Sequence, residues 1–546
     1  MNAQTAIKSG DPAQAAERLV VIGNGMAGCR AVEEILARNP ARYKVVIFGA
    51  EPRVNYNRIM LSPVLAGEKS FDEIVLNTEQ WYTDNNIDLV SGDPVESIDR
   101  TRKIVRSASG REEHYDKLLI ATGSDPFLIP IPGADLEGVV TFRDLDDVER
   151  MLAAAKSGGD AVVIGGGLLG LEAAHGLSLR GMKVTVVHLM PTLMERQLDE
   201  AAGYLLQSEL ESRGQTILTG ANTKIIHGVE GKVVGIELED GTRVKASIVV
   251  MAAGIRPATG LAKQADLECE RGILVDDNMV TSDPAILAVG ECVQHRGLCY
   301  GLVAPLWEMC RALADHLTDT PTGYHGSVTS TKLKVSGIDL FSAGDFSGGD
   351  ECEDIVLRDA SRGVYKRLVL KDNKIIGAVL YGETADGNWY FDLLKKEEDI
   401  AEIREGLIFG QAFTQGGNTL DPSAAVAALS DDAEICGCNG VSKGDVVACI
   451  NNGAHSVDAV RGTCKASASC GSCTDLVEGL LALTLGDEVE QGAATMCGCT
   501  SFGHDDVRRL ILEKSFKSIP EVMQELHWST PDGCSKCRPA LNYYLL

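Results

Sequence analysis

The chain has 546 residues, 45% of them hydrophobic and 24% charged, and its 51 basic against 78 acidic side chains leave a net charge of −27. That balance excludes collagen-like, coiled-coil and wholly disordered chains, and the length predicts about three to five domains. So much negative charge repels phosphate backbones and anionic lipid heads, so neither nucleic acid nor a membrane surface is expected as a partner.

Residues 1–18 lack the basic start and apolar core of a secretory signal, and no apolar run approaches the ~18 residues needed to cross a bilayer, which predicts a cytoplasmic protein. In a reducing compartment clustered cysteines serve metals or redox chemistry more often than disulfides. Six of the 16 cysteines are scattered through the first 430 residues and ten fall in the last 116.

In chain order, RLVVIGNGMAGCRAVEEIL reads as a strand, a glycine turn and an amphipathic helix, and the strand YKVVIFGAEP follows. Gly23, Gly25 and Gly28 form G-x-G-x-x-G: the first allows the tight turn, the second lets backbone approach a pyrophosphate, and the third lets helix and strand pack closely. An acid about 20 residues further on should hold ribose hydroxyls; Glu51 is the candidate, with Ala50-Glu51 leaving the register open by one residue. Cys29 has no C-x-x-x-x-C partner and reads as a small buried apolar residue. YDKLLIATGS and SDPAILAVGE are apolar runs ending in glycine, as buried parallel strands are.

The first unit returns in DAVVIGGGLLGLEAAHGL and MKVTVVHLMP, with Gly165, Gly167 and Gly170 in the same spacing. Its second strand ends at His188 with no acid or arginine beside it, so the choice between NADH and NADPH is not legible. Two dinucleotide turns in one chain predict a flavin beside a nicotinamide. His175, His188 and His455 lie singly, without a carboxylate partner in the sequence, and hydride transfer needs no general base. Residues 325–412 alternate as an antiparallel sheet does, LKKEEDIAEIREG reads as a solvated helix face, and NTLDPSAAVAALSDDAE reads as a linker.

The tail holds a second repeat. Cys436-x-Cys438 is followed after 31 residues by Cys470-x-x-Cys473, and Cys497-x-Cys499 after 34 residues by Cys534-x-x-Cys537. Each copy encloses a helix-like stretch, KGDVVACINNG or DDVRRLILEKS. Four thiolates at such spacing complete a 2Fe–2S cluster, and they also suit tetrahedral zinc. Cys449 reads as core, Cys464 as a bystander, and Cys269, Cys292, Cys299, Cys310 and Cys352 form no ligand set.

VIGNGMAG, LLIATGS, VIGGGLLGLEAA and TSDPAILAVGE resemble the flavin-dependent pyridine nucleotide reductase family over about residues 18–318. The resemblance implies an α/β fold of two nested Rossmann-like domains, with residues 18–128 and 257–318 holding FAD and 129–256 holding NAD(P)H. An antiparallel α+β domain (319–415) and two small helical cysteine-rich domains (433–486 and 494–546) complete the chain. It further places Gly290 and Glu291 near the flavin ribityl chain, Thr122 and Gly123 along the flavin, Glu172 near the nicotinamide, and Pro305 with its helix beside the isoalloxazine, where a helix N-terminus favours negative charge. Strand-end packing is the bland reading of these positions.

ICGCNGVSKGD through SASCGSC resembles bacterioferritin-associated ferredoxin-type domains, which marks Cys436, Cys438, Cys470 and Cys473 as cluster ligands. MCGCTS through DGCSKCRPALNYYLL is similar, and Cys497, Cys499, Cys534 and Cys537 hold a second cluster, a structural metal or nothing. With AEPRVNYNRIMLS and KVTVVHLMPTLMERQLD, these stretches resemble large subunits of NAD(P)H-dependent nitrite reductases along essentially the whole chain. Arg58 of the first stretch would lie close to the flavin nucleotide, or be an exposed salt-bridging arginine.

That family continues into a half that binds siroheme and a 4Fe–4S cluster, and no further cysteine run precedes Leu546. The chain is then a shortened form or a donor to a separate siroheme subunit, with a small nitrite reductase subunit and a second copy of itself as further partners. Alternatives are the electron-transfer subunit of an assimilatory nitrate reductase, an NAD(P)H:ferredoxin or rubredoxin reductase, and a non-catalytic redox sensor or zinc-stabilised assembly module.

Overall fold

The computed structural model describes residues 16–545 other than 321, 336, 360, 415–425, 428, 470, 472, 487–496, 498, 501, 515, 527 and 529–536. The chain opens with β1 (Glu17–Ile22), α1 (Met26–Arg38), β2 (Tyr43–Gly49), β3 (Asp88–Ser91) and β4 (Lys117–Ile120). It leaves for a second sheet through β5 (Val139–Val140), β6 (Asp160–Ile164), α2 (Leu168–Leu179), β7 (Lys183–Val187), β8 (Thr216–Leu218) and β9 (Ile248–Met251), then returns with β10 (Ile286–Ala288) and α3 (Val303–Leu317). Each sheet is five-stranded and wholly parallel, in the orders β10-β4-β1-β2-β3 and β8-β7-β6-β9-β5. Helices cover both faces of such a sheet, so its strands read as unbroken apolar runs; Leu19 to Val21, Leu118 to Ile120 and Val249 to Val250 are fully buried. The two crossings between the sheets run side by side, Ser124–Pro126 pairing antiparallel with Ile255–Pro257.

The glycine turns are fixed by close approach. Gly23 and Gly165 have φ of +119° and +127°, and a Cβ on either would stand 2.2 Å from a strand-end carbonyl oxygen, of Ala121 or Ala252. A Cβ on Gly28 or Gly170 would meet the carbonyl of the first glycine at 2.2 or 2.0 Å, whereas around Gly25 and Gly167 nothing lies within 4 Å. The middle glycine of each turn therefore presents open backbone at a helix N-terminus.

A five-stranded antiparallel sheet follows, made of β11 (Ser330–Val335), β12 (Ile338–Gly344), β13 (Glu353–Asp359), β14 (Val364–Lys371) and β15 (Lys374–Tyr381) in the order β11-β12-β15-β14-β13. One face is covered by α4 (Gly387–Lys395), whose Tyr390 is fully buried. The other, with Leu340, Tyr365, Val379 and Tyr381, packs into the core of the second sheet's domain, where Tyr365 donates to Asp199 at 2.6 Å.

The first cysteine module is not purely helical, as the sequence suggests. β16 (Glu434–Cys436) and β17 (Val441–Ser442) pair before α5 (Lys443–Asn451), α6 (Val457–Thr463) and α7 (Thr474–Leu485). Ser442 and Asp445 cap α5 reciprocally, which fixes where the ribbon ends and the helix begins. The second module contains α8 (His504–Lys514), α9 (Ile519–Glu525) and α10 (Cys537–Tyr544) around Val507, Ile511, Val522 and Leu541. Most of the expected linker lies outside the described residues, and among those described no helix is long and apolar enough to cross a membrane.

Gly170→Ala forces a Cβ against backbone, and thermal unfolding should show a loss of about 1–3 kcal/mol. Gly167→Ala, with free space around it, should stay within about 0.5 kcal/mol of the parent.

Candidate redox site

A cavity of about 1260 Å³ opens at the carboxyl ends of β1, β2, β4 and β10, where parallel sheets bind their ligands. Gly23, Gly25 and Met26 line it from the first turn, Glu51 from the end of β2, Thr122 and Gly123 from the end of β4, and Gly290 and Glu291 from the end of β10. The start of α3 adds Val303, Ala304 and Leu306, while Pro305, in the same turn, is buried behind them. α1 and α3 thus begin at the cavity, as does α2 through Leu168 and Leu169, and the first amides of a helix favour anionic groups.

Two of the lining acids, Glu51 and Glu291, are each paired with an arginine. Arg58 is paired with Glu51 and donates to the Arg143 carbonyl at 3.2 Å, while the Tyr56 hydroxyl donates to Glu51 at 2.7 Å. Arg58 is both a wall of the cavity and a salt-bridging residue. Its aim is set by Asn57, whose side chain accepts from the Ile59 N–H at 3.1 Å and caps the short helix Arg58–Met60. Glu291 accepts from Arg143 and from Ser124, each at 2.6 Å. Arg143 lies in none of the motifs, and Ser124 and Tyr56 lie in LLIATGS and AEPRVNYNRIMLS with no role assigned there, so the fold reveals what all three do.

Glu172, on α2, faces the same cavity. Burial pushes its carboxyl up to about 7, opposed by a hydrogen bond from Ser62 at 2.6 Å. His175, one turn on, also lines the cavity, and burial lowers its pKa.

The second turn's Gly165, Gly167 and Gly170 and His188 lie outside this cavity's lining. His188 corrects the sequence reading, because it has a carboxylate neighbour: Nε2 stands 3.0 Å from Glu195 while Nδ1 accepts from the Gly166 N–H at 3.0 Å. The pair is seven positions apart, and the chain doubles back between them through Met194 at φ +53°, so no strand or helix period signals it. His455 lies between α5 and α6.

The first cysteine set opens onto the same cavity through Cys436, Cys438 and Cys473; Cys470 is outside the described residues. The Cys473 thiol, the backbone N–H groups of Ser467 and Asn439 and the Asn439 amide bring Cys436 down to about 7 against the opposing effect of burial. A thiolate is the metal-ligating form, so the donor set fits a cluster. In the second set the sulfurs of Cys497, Cys499 and Cys537 all lie within 4.8 Å of one another, with Cys534 outside the described residues. Three converging sulfurs suit a cluster or zinc alike. Cys449 is buried on α5 in contact with Cys464, whose thiol burial pushes up to about 11. Cys29 is fully buried, and burial pushes it up to about 12.

The trunk, residues 17–306, matches the model of the pyridine nucleotide-disulphide oxidoreductase family. Residues 330–398 match the rubredoxin NAD+ reductase C-terminal domain, and 434–482 and 495–546 each match the BFD-like 2Fe–2S binding domain. The chain is 49% identical to a Bacillus subtilis nitrite reductase (NAD(P)H), over 97% of this chain and 66% of that protein. It is 43% identical to the assimilatory nitrate reductase electron transfer subunit of the same organism, over 97% of this chain and 68% of the relative. Among solved structures, NADH:rubredoxin oxidoreductase from Clostridium acetobutylicum aligns at a TM-score of 0.61 and 28% identity, over 71% of this chain and 97% of its own. The chain thus spans about two thirds of the length of the two curated relatives.

Glu172 has a consequence for stability. The folded chain keeps this proton up to about pH 7, whereas an unfolded carboxyl releases it near 4.5. Stability therefore falls as pH rises between those values and levels off above. Relative to Glu172→Gln, the parent should lose up to about 3 kcal/mol between pH 5 and 8, read from apparent unfolding midpoints; a constant difference contradicts the assignment.

Proposed function

The chain belongs to the pyridine nucleotide-disulphide oxidoreductase family, and on that footing we propose that it oxidises NAD(P)H and passes the electrons through FAD and 2Fe–2S clusters to a siroheme centre that reduces nitrite to ammonium. The observation that carries this reading is the shared cavity, walled by the first glycine turn on one side and by Cys436, Cys438 and Cys473 on another. Bound FAD supplies the conversion between a two-electron hydride and single electrons, and each 2Fe–2S cluster takes one electron at a time.

The chain's own residues do the holding and aiming. On this reading the FAD-binding body is 18–128 with 257–318, the nicotinamide domain 129–256, the sheet domain 319–415, and the cluster modules 433–486 and 494–546. Gly25 brings open backbone and the first amides of α1 to a pyrophosphate. Glu51 accepts from ribose hydroxyls, with Arg58 beside it, while Glu291 and Thr122 line the ribityl region and the start of α3 favours negative charge on the ring. Gly167 and α2 receive the pyrophosphate of the nicotinamide nucleotide, His188 and Glu195 lie toward its adenosine end, and Glu172, carrying a proton near neutral pH, faces the nicotinamide. Cys436, Cys438, Cys470 and Cys473 would ligate the first cluster, which would supply a one-electron acceptor at the wall of the flavin cavity. Cys497, Cys499, Cys534 and Cys537 ligate the second. The setting proposed is the cytoplasm, where thiols stay reduced.

The nitrite end rests on what the relatives are named for. The 43% identity to a nitrate reductase electron transfer subunit supports a second reading, in which the same redox parts serve a nitrate-reducing partner.

These 546 residues, purified without oxygen, should oxidise NAD(P)H with ferricyanide, carry about four irons per flavin, and form no ammonium from nitrite until a siroheme reductase is added. Zinc in place of iron would overturn the cluster assignment, and ammonium from the chain alone would overturn the need for a siroheme partner. Nitrate reduction with a nitrate reductase partner and none of nitrite with a siroheme partner would favour the second reading.

A further inference from the structure

We propose that Asn57, Ser469 and Asn439 form a hydrogen-bonded relay that fastens the first cysteine loop to the flavin-side body and, through the Asn439 amide on Cys436, raises the reduction potential of the cluster held there. The inference rests on the reading that Cys436 ligates an iron–sulfur cluster.

The relay runs from a residue that already positions the flavin-side wall. Asn57 uses its carbonyl oxygen to cap the helix that carries Arg58, and its amide donates to Ser469 Oγ at 2.6 Å, across 412 positions of sequence. Ser469 donates in turn to Asn439 Oδ1 at 3.2 Å. With the Asn439 carbonyl oxygen occupied, its amide hydrogens point to the Lys465 carbonyl at 2.8 Å and to Cys436 Sγ at 3.6 Å; the amide nitrogen also lies 3.0 Å from Ser469 Oγ. This polarity gives the Ser469 hydroxyl and both Asn439 amide hydrogens an acceptor. It matters because the three side chains are buried, at 3%, 9% and 9% exposure, where an unsatisfied amide costs about 1–3 kcal/mol.

A second anchor holds the other end of the same loop. Trp307, in the first turns of α3, donates from Nε1 to the Cys438 carbonyl at 3.3 Å. The chain leaves the ring through Gly440, where a Cβ would stand 2.5 Å from Trp307 Cδ1. The loop Cys436–Gly440 is therefore gripped by the two flavin-side segments that also wall the cavity, and Asn57 and Trp307 act as positioning residues.

Asn439 has an electronic role as well. An N–H directed at a ligand sulfur stabilises the cluster more as it gains negative charge, so the reduced form is favoured. Removing the amide lowers the potential, whereas removing Asn57 loosens the seat and leaves the sulfur's donor in place. The two substitutions are thus expected to act on different quantities.

The test uses the full chain, purified anaerobically with both cofactors, in a Cys497→Ser background that removes the second module's signal. Cluster potential is read by EPR-monitored potentiometry, and cluster reduction after mixing with NADH by stopped-flow absorbance. Asn439→Ala should move the flavin–cluster equilibrium about tenfold toward the oxidised cluster, about 59 mV for one electron. Asn439→Asp, equal in size but lacking the donor, should move it the same way. Asn57→Ala should leave the potential unchanged and slow cluster reduction about tenfold, while Ser469→Thr, which keeps the hydroxyl, should retain both parent values. Unchanged potentials in whichever of the two Asn439 variants load iron, or an undiminished rate in Asn57→Ala, would overturn the relay. A parent chain without a 2Fe–2S signal would instead overturn the functional reading on which it rests.

Discussion

The structure depends on one adjacency: a five-residue loop bearing Cys436 and Cys438 closes the cavity that the first glycine turn opens. Apolar packing alone does not fix register, because it is non-directional. Here the seat is specified by buried polar pairs, Asn57 to Ser469 and Trp307 to the Cys438 carbonyl. Such groups pair fully or become costly, so the loop has one satisfied position. The thiolates meet the cavity at the carboxyl ends of a parallel sheet, where the fold gathers glycine turns, acids and helix N-termini.

Charge is handled differently in the wall and around Glu172. The chain carries a net −27, yet two acids of the cavity wall are each matched by an arginine: Glu51 by Arg58, and Glu291 by Arg143. Among its hydrogen-bonding neighbours Glu172 has a hydroxyl, that of Ser62, and burial therefore sets its behaviour. A carboxyl that holds its proton to about pH 7 offers a neutral, hydrogen-bonding face where the nicotinamide is proposed to dock, without adding negative charge beside an electron-rich ring.

The glycine turns, the parallel strands and the cysteine pairs are legible in the sequence because each is a local pattern a few residues long. Gly23 and Gly165 must be glycine to turn under a neighbouring carbonyl, and that constraint repeats visibly in both units. What the sequence hides is contact across distance. Arg143 meets Glu291 over 148 positions and Asn57 meets Ser469 over 412; neither pair follows a strand or helix period. His188 and Glu195 are near in sequence, but an irregular loop folds one onto the other. The ribbon β16–β17 has strands of three and two residues, too short for alternation to register, so the first cysteine module reads as helical only.

The central claim, that the first cysteine module receives electrons from the flavin across their common cavity, is tested most directly by freeze-quench EPR after mixing the anaerobic chain with NADH. The account predicts a reduced 2Fe–2S signal that grows as the flavin absorbance recovers from its initial bleaching, and that is lost in Cys436→Ser while the bleaching remains. A flavin that bleaches fully while an iron-loaded first module stays EPR-silent would contradict it.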